Sequence, residues 1–182
     1  MSELTVLLQG LQAARTELKN DLQRQVIKAV NDLVSLTINR VITTGLNSEG
    51  QSFTPYSTKP VAAWRYRGKS RTGGAEKKIN EKAKRKEDVS YKEFRAINGL
   101  KSDKKIFEFT GEMWRHTGIQ KVEEVGDFVI VTIGGKTETA RKKLEGNSSR
   151  EKINIAGPSA SETKQVKLYL DKWIMDTIKR HT

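Results

Sequence analysis

Cysteine is absent from the 182 residues, so neither a disulfide framework nor a thiolate metal site can form. Only two histidines, His116 and His181, are present, and neither has a metal-ligand partner at helical spacing. Apolar residues make up 35% of the chain, below the usual range of about 45–50%, which also counts glycine. The core is therefore modest, and part of the chain is expected to order only against a partner. No stretch approaches the roughly twenty apolar residues of a membrane span, and no basic-then-apolar leader pattern opens the chain. Asn147-Ser148-Ser149 matches a glycosylation sequon, but without a leader it carries no meaning. The expectation is a soluble protein made in a cytosol.

No glycine or proline falls between Gly10 and Gly45. Within that stretch and just before it, apolar residues recur at Leu4, Leu8, Leu11, Ala14, Leu18, Leu22, Val26, Val30, Leu33, Val34, Ile38 and Val41. Steps of three and four predict one amphipathic helix over residues 3–43. At about 1.5 Å per residue it spans roughly 60 Å, more than a small domain needs over its own core. Three successive steps of four (Ala14, Leu18, Leu22, Val26) depart from a strict heptad, which favours packing on a sheet over a two-stranded coiled coil.

Charge is distributed unevenly. The net charge is +12, but residues 1–58 carry five basic and five acidic side chains, and residues 106–182 carry thirteen and eleven. Residues 59–105 carry sixteen basic and six acidic groups, net +10. The pattern is a basic insertion (59–105) in an otherwise nearly neutral single domain (1–58 and 106–182). Within the insertion, Trp64, Arg65, Tyr66, Arg67, Lys69 and Arg71 interleave aromatic and cationic groups. Lys77, Lys78, Lys82, Lys84, Arg85 and Lys86 follow on a helix-prone run over 75–86. That run has only Ile79 and Ala83 as apolar positions, so it cannot stand as an independent core helix. Deleting residues 70–87 is expected to leave a folded domain. The segment reads either as a solvated loop or as an arm for an acidic protein surface or nucleic acid. Trp64 and Tyr66 either stack on bases or fix the root of the arm to the core.

Local stop and start signals divide the remainder. Gly45 closes the first helix, and Gly45, Gly50, Phe53, Pro55 and Tyr56 mark a turn in which Phe53 and Tyr56 clamp against the helix end. The spacing Gly45-x4-Gly50-Gln51-Ser52 resembles a phosphate-binding loop, but glutamine replaces the required lysine and no strand precedes it. Ser90-Tyr91-Lys92-Glu93 opens a short helix closed by Gly99, and Ser159-Ala160-Ser161-Glu162 opens a last helix to about residue 180. Between them the chain predicts a short strand at 106–109, a brief helix at 112–116 capped by Thr110, and a turn back at Gly118. A hairpin follows over 119–125 and 128–133 around Gly126-Asp127, with Val125, Phe128, Ile130 and Thr132 at alternate positions. A polar helical turn or loop is expected at 137–145, with a further strand at 153–155. Val166, Leu170, Trp173, Ile174 and Ile178 form the expected buried stripe of the last helix. The fold class is α+β: long N-terminal and C-terminal helices packed on a small antiparallel sheet, with an extended basic insertion.

Chemistry leaves little trace. Glu123 and Glu124 are adjacent on a strand and point to opposite faces, no nucleophile has a marked base, and no motif turns Glu87 and Asp88 into a nuclease site. No catalytic, cofactor or metal residue is expected.

Three stretches, in this order, resemble the tail-completion and head–tail joining (neck) proteins of tailed bacteriophages. They are the long helix running into Gly45…Gly50-x-x-Phe53-x-Pro55-Tyr56-Ser57, then Phe109-Thr110-Gly111-Glu112-Met113-Trp114-Arg115, then the hairpin ending Phe128-Val129-Ile130-Val131-Thr132-Ile133-Gly134. The basic insertion is longer than the family's usual linker, and residues 134–154 lack the His- and Gly-containing loop many members carry. The resemblance implies a structural virion protein in a homo-oligomeric ring between portal and tail, assembled in the host cytoplasm beside adjacent connector and tail proteins. It implies no active site. Neighbouring protomers would cover the surplus helix stripe, and the basic arm would meet an acidic protein surface or packaged DNA. The rival reading is a stand-alone nucleic-acid-binding protein using residues 64–105.

Overall fold

The computed structural model describes residues 3–107, 111–126 and 128–182. Among these the fold is α+β, with six α-helices and two separate two-stranded antiparallel sheets. The first helix, α1 (Glu3–Thr44), runs unbroken as its periodicity predicts. It ends where Gly45, at φ 70°, donates its N–H back to the Val41 carbonyl at 3.0 Å. A left-handed φ of this kind is strained for residues with a Cβ.

The chain then enters the basic insertion, which is folded. β1 (Pro60–Ala62) pairs antiparallel with β2 (Asp88–Ser90), Val61 opposite Val89. Between them lie a 3-10 turn (Ala63–Tyr66) and α2 (Gly73–Lys84), and after them α3 (Tyr91–Ile97). Ala63, Ile79, Val89 and Phe94 form a closed core, flanked by Tyr66, Ala83, Tyr91 and Ile97. The expectation of a solvated loop, or of an arm ordered only by a partner, is therefore corrected. Few apolar residues suffice because they converge from four elements, and Ile79 on α2 is completely buried.

The second half builds α4 (Glu112–Arg115), the hairpin β3 (Thr117–Val125) and β4 (Phe128–Gly135), α5 (Glu138–Glu151) and α6 (Ala160–His181). Of the strand expected at 106–109, Ile106 and Phe107 are not in a strand. Residues 108 and 109 lie outside the described residues, as do Thr110 and Asp127. Gly118 is inside β3 and is not a turn. The polar stretch after β4 is a full helix capped by Thr137, whose side chain accepts from the Ala140 N–H. Ile153 and Ile155 do not form a strand either. They cross the main core, which gathers Val41, Phe53, Met113, Trp114, Leu144 and Ile155.

Helix α6 lies antiparallel along α1. Near its start Glu162 meets Thr37 and Arg40, midway the Tyr169 hydroxyl donates to Gln25 at 2.7 Å, and at its end Arg180 and His181 meet Glu17. Close approach is set by small residues. Ala14 and Ala29 are buried, and a Cβ on Gly10 would lie 1.9 Å from the His181 carbonyl oxygen. Replacing an interior helical glycine by alanine normally stabilises a helix by about 1 kcal/mol. Gly10→Ala is expected to do the reverse, costing about 1–2 kcal/mol through overpacking, read as a lower denaturation midpoint.

The predicted apolar stripe of α1 is buried or half-buried from Ala14 onward and is uncovered only at its start. Leu33, Val34 and Val41 are buried, while Leu4, Leu8 and Leu11 are exposed. On α6 the expected stripe is only partly covered: Val166, Leu170, Trp173 and Ile178 are half-buried and Ile174 is exposed, while the buried residues are Glu162 and Thr177.

Candidate interaction surfaces

The insertion displays its charge on a shaped loop. Residues 59–71 contain five cations and no acid. The loop after the 3-10 turn folds onto the first turn of α2, where the Glu76 carboxylate accepts from the N–H groups of Gly68 (2.7 Å) and Ser70 (3.4 Å). Those amide contacts, the Gly68 bond foremost, hold the Glu76 carboxyl below its ordinary range. Asn98 accepts from the Arg71 N–H at 2.7 Å, and the Thr72 side chain caps α2. Two more acids are spent nearby: Glu87 and Glu93 lie 2.9 and 3.2 Å from Lys82 Nζ, and Arg85 approaches Glu87 at 3.7 Å. Both carboxylates raise the Lys82 pKa, with Glu87 the larger cause. The side chains of Arg67, Lys69, Arg71, Lys77, Lys78, Lys84 and Lys86 are exposed and form no ion pair among the described residues. Glu81, also exposed, interrupts the outer face of α2 one turn from Lys77, so the acid-free part of the surface is the loop.

The structure separates the two aromatic residues of this loop. Tyr66 stacks on Phe94 with centroids 4.4 Å apart and joins the insertion core. Trp64 is 60% exposed, with the Arg65 guanidinium 5.6 Å from its ring centroid. The turn residues also divide. Phe53 joins the main core as expected, whereas Tyr56 clamps the insertion, its ring under the Arg95 guanidinium at 4.2 Å and its hydroxyl accepting from the Ile106 N–H. Pro55 is exposed, and Gly50 takes a positive φ in a turn that Asn47 Oδ1 ties to the amides of Glu49 and Gln51. The amides that a phosphate-binding loop would offer are thus already partly occupied.

A second surface is apolar. Leu4, Val6, Leu7, Leu8 and Leu11 of α1 are 43–65% exposed. The spacing 4, 8, 11, 15, 18, 22 places Leu4, Leu8 and Leu11 on one helix face with Arg15, Leu18 and Leu22. The last three line a groove of about 420 Å³ together with Phe128 and Val129 of the hairpin tip and Trp173 and Ile174 of α6. The hairpin positions Val125, Phe128 and Ile130 face solvent, 49–74% exposed. Leu168 and Met175 of α6 are exposed too, and nothing in the apolar pattern of α6 singled them out.

A cleft of about 690 Å³ between insertion and main core is lined by Tyr56, Tyr91, Arg95, Lys105, Met113 and Lys143 among others. Its cations are engaged: Lys105 pairs with Glu151, Lys143 with Glu112, and Arg95 donates to the Lys101 carbonyl. Among the described residues no cluster of three or more His, Asp or Glu could hold a metal ion, and no helix is long and apolar enough to cross a membrane. His181 bonds Glu17 at 2.7 Å, and its ring, with Arg180, holds that carboxyl below its ordinary range. The chain matches no protein-family model, no curated protein and no solved structure.

Proposed function

We propose that this chain is a structural subunit that assembles with copies of itself, as a ring component of the neck or tail-completion assembly joining head to tail in a tailed phage. In that role it resides in the virion after assembly in the host cytoplasm, and it needs no active site. The observation that carries the reading is the uncovered apolar surface running from Leu4 along α1 to the groove at Phe128 and Ile174. Contiguous exposed apolar surface of this kind marks an interface. The order of motifs that resemble the neck proteins supplies the particular assembly.

Magnitudes set the extent of the interface. Fully burying a leucine or valine side chain is worth about 1.5–3 kcal/mol, so five half-exposed ones contribute on the order of 5 kcal/mol. Association costs about 4–15 kcal/mol in lost rotational and translational freedom. The first turns of α1 are therefore insufficient alone, and the hairpin and α6 residues belong to the same contact. Light scattering is expected to find the wild type as a higher oligomer at both low and high salt. Leu8→Asp with Leu11→Asp is expected to reduce the mass to that of one chain with unchanged circular dichroism, because both side chains are exposed within the subunit. A monomeric wild type that associates only with DNA would replace this reading with the nucleic-acid binder.

A further inference from the structure

We infer that the loop carrying Trp64, Arg65, Arg67, Lys69 and Arg71 is a binding surface for single-stranded nucleic acid, with Trp64 stacking on an unpaired base and the cations neutralising phosphates. Three observations converge on it. The exposed tryptophan is not part of the insertion core, whereas its neighbour Tyr66 is. Arg65 already lies over one face of the indole ring, placing a cation beside the surface on which a base would stack. The backbone that presents the cations is fixed before any ligand arrives, because Glu76 and Asn98 accept from the N–H groups of Gly68, Ser70 and Arg71. Glu76 is consumed in doing so, and Glu87 and Glu93 are consumed by Lys82. The loop therefore faces its ligand with positive charge and no competing carboxylate of its own.

An acidic protein would use the same cations but has no need of Trp64. A closed duplex offers phosphates without an accessible base face. The solvent-facing indole is the feature that selects a single strand. Recognition is sequence-tolerant, since every base has a face to stack on, and it is independent of the α1 contact, so the monomeric Leu8→Asp, Leu11→Asp variant retains it.

The test is anisotropy of a fluorescein-labelled oligothymidylate titrated with the full chain at several salt concentrations. Trp64→Ala is expected to weaken binding about tenfold, the scale of one lost base–aromatic stack, and Trp64→Phe to restore most of it. Arg67→Ala, Lys69→Ala and Arg71→Ala combined are expected to flatten the log affinity against log salt slope by about two, near 0.7 per phosphate contact. Unaltered far-ultraviolet dichroism and melting temperature check that the variants are folded. Equal affinity of Trp64→Ala and wild type would overturn the proposal, as would poly-glutamate competing as well as oligothymidylate. Oligomerisation without oligothymidylate binding overturns this proposal and leaves the assembly reading standing; oligothymidylate binding by a monomeric wild type does the opposite.

Discussion

Arg40→Ala is expected to destabilise the protein by about 3–5 kcal/mol, the usual cost of removing one partner from a buried ion pair. Arg40 Nε donates to Glu162 at 2.8 Å, Nη1 to the Leu46 carbonyl at 2.7 Å and Nη2 to the Gly157 carbonyl at 2.8 Å. One guanidinium thus joins α1, the turn after it and the start of α6. The side chains of the pair are only 14% and 8% exposed. Without Arg40 the Glu162 carboxylate keeps the Thr37 hydroxyl and the Ser159 N–H but loses its countercharge. For a chain of this size each kcal/mol moves the melting temperature by about 2–4 °C, so a fall of about 6–20 °C is expected. Arg40→Lys should recover little of it, because an ammonium lacks the planar fork that reaches three acceptors.

The same pair predicts a pH dependence with a definite sign. Burial raises the Glu162 pKa, but the hydrogen bonds from Arg40 and Ser159 outweigh it and leave the carboxyl below its ordinary range. The unfolded chain then binds the proton more readily than the folded one, so the contribution is present above the unfolded pKa and is lost as pH falls through the folded pKa. In Arg40→Ala burial is no longer opposed by the guanidinium. The difference in melting temperature between variant and wild type should therefore shrink on acidification from about pH 7 to about pH 3, across the carboxylate range. A difference that stays constant over that window would show that the pair does not act through charge.

Ile79→Asp is expected to unfold the insertion while leaving the main core in place. Ile79 is fully buried among Ala63, Val89 and Phe94. Truncation to alanine alone would cost about 2–5 kcal/mol, and a buried unpaired carboxylate costs more. The main core around Val41, Trp114 and Leu144 shares no residue with this cluster. Hydrogen exchange should show α2 and α3 losing protection while α1 and α6 keep theirs. Simultaneous loss in all four helices would show that the two cores fold as one unit. Deletion of 70–87 is read in the same way: it removes Ile79 and uncovers Val89 and Phe94, so the insertion does not survive it, although the domain on either side retains its own core.

The sequence by itself determined the elements whose causes are local. An uninterrupted period of three and four dictated α1, Gly45 dictated its end, and Ser90 and Ser159 dictated where two later helices begin, the second with both halves of its capping box formed. Two β-prone runs on either side of Gly126 dictated the hairpin. Each of these signals acts between residues fewer than about five positions apart, within reach of one turn of backbone. Tertiary structure decided which faces are covered, because burial depends on partners that no local pattern names. The apolar stripe of α1 runs from Leu4 to Val41, yet it is covered from Ala14 onward and open at Leu4, Leu8 and Leu11, and at Gly10 the absence of a side chain admits the His181 carbonyl. Arg40 and Glu162 meet across 122 positions. Ala63, Ile79, Val89 and Phe94 are too dispersed to register as a hydrophobic run, and only the pairing of β1 with β2 brings them together. Likewise Trp64 and Tyr66 are equivalent in spacing, and the position of Phe94 alone turns one into core and leaves the other facing solvent.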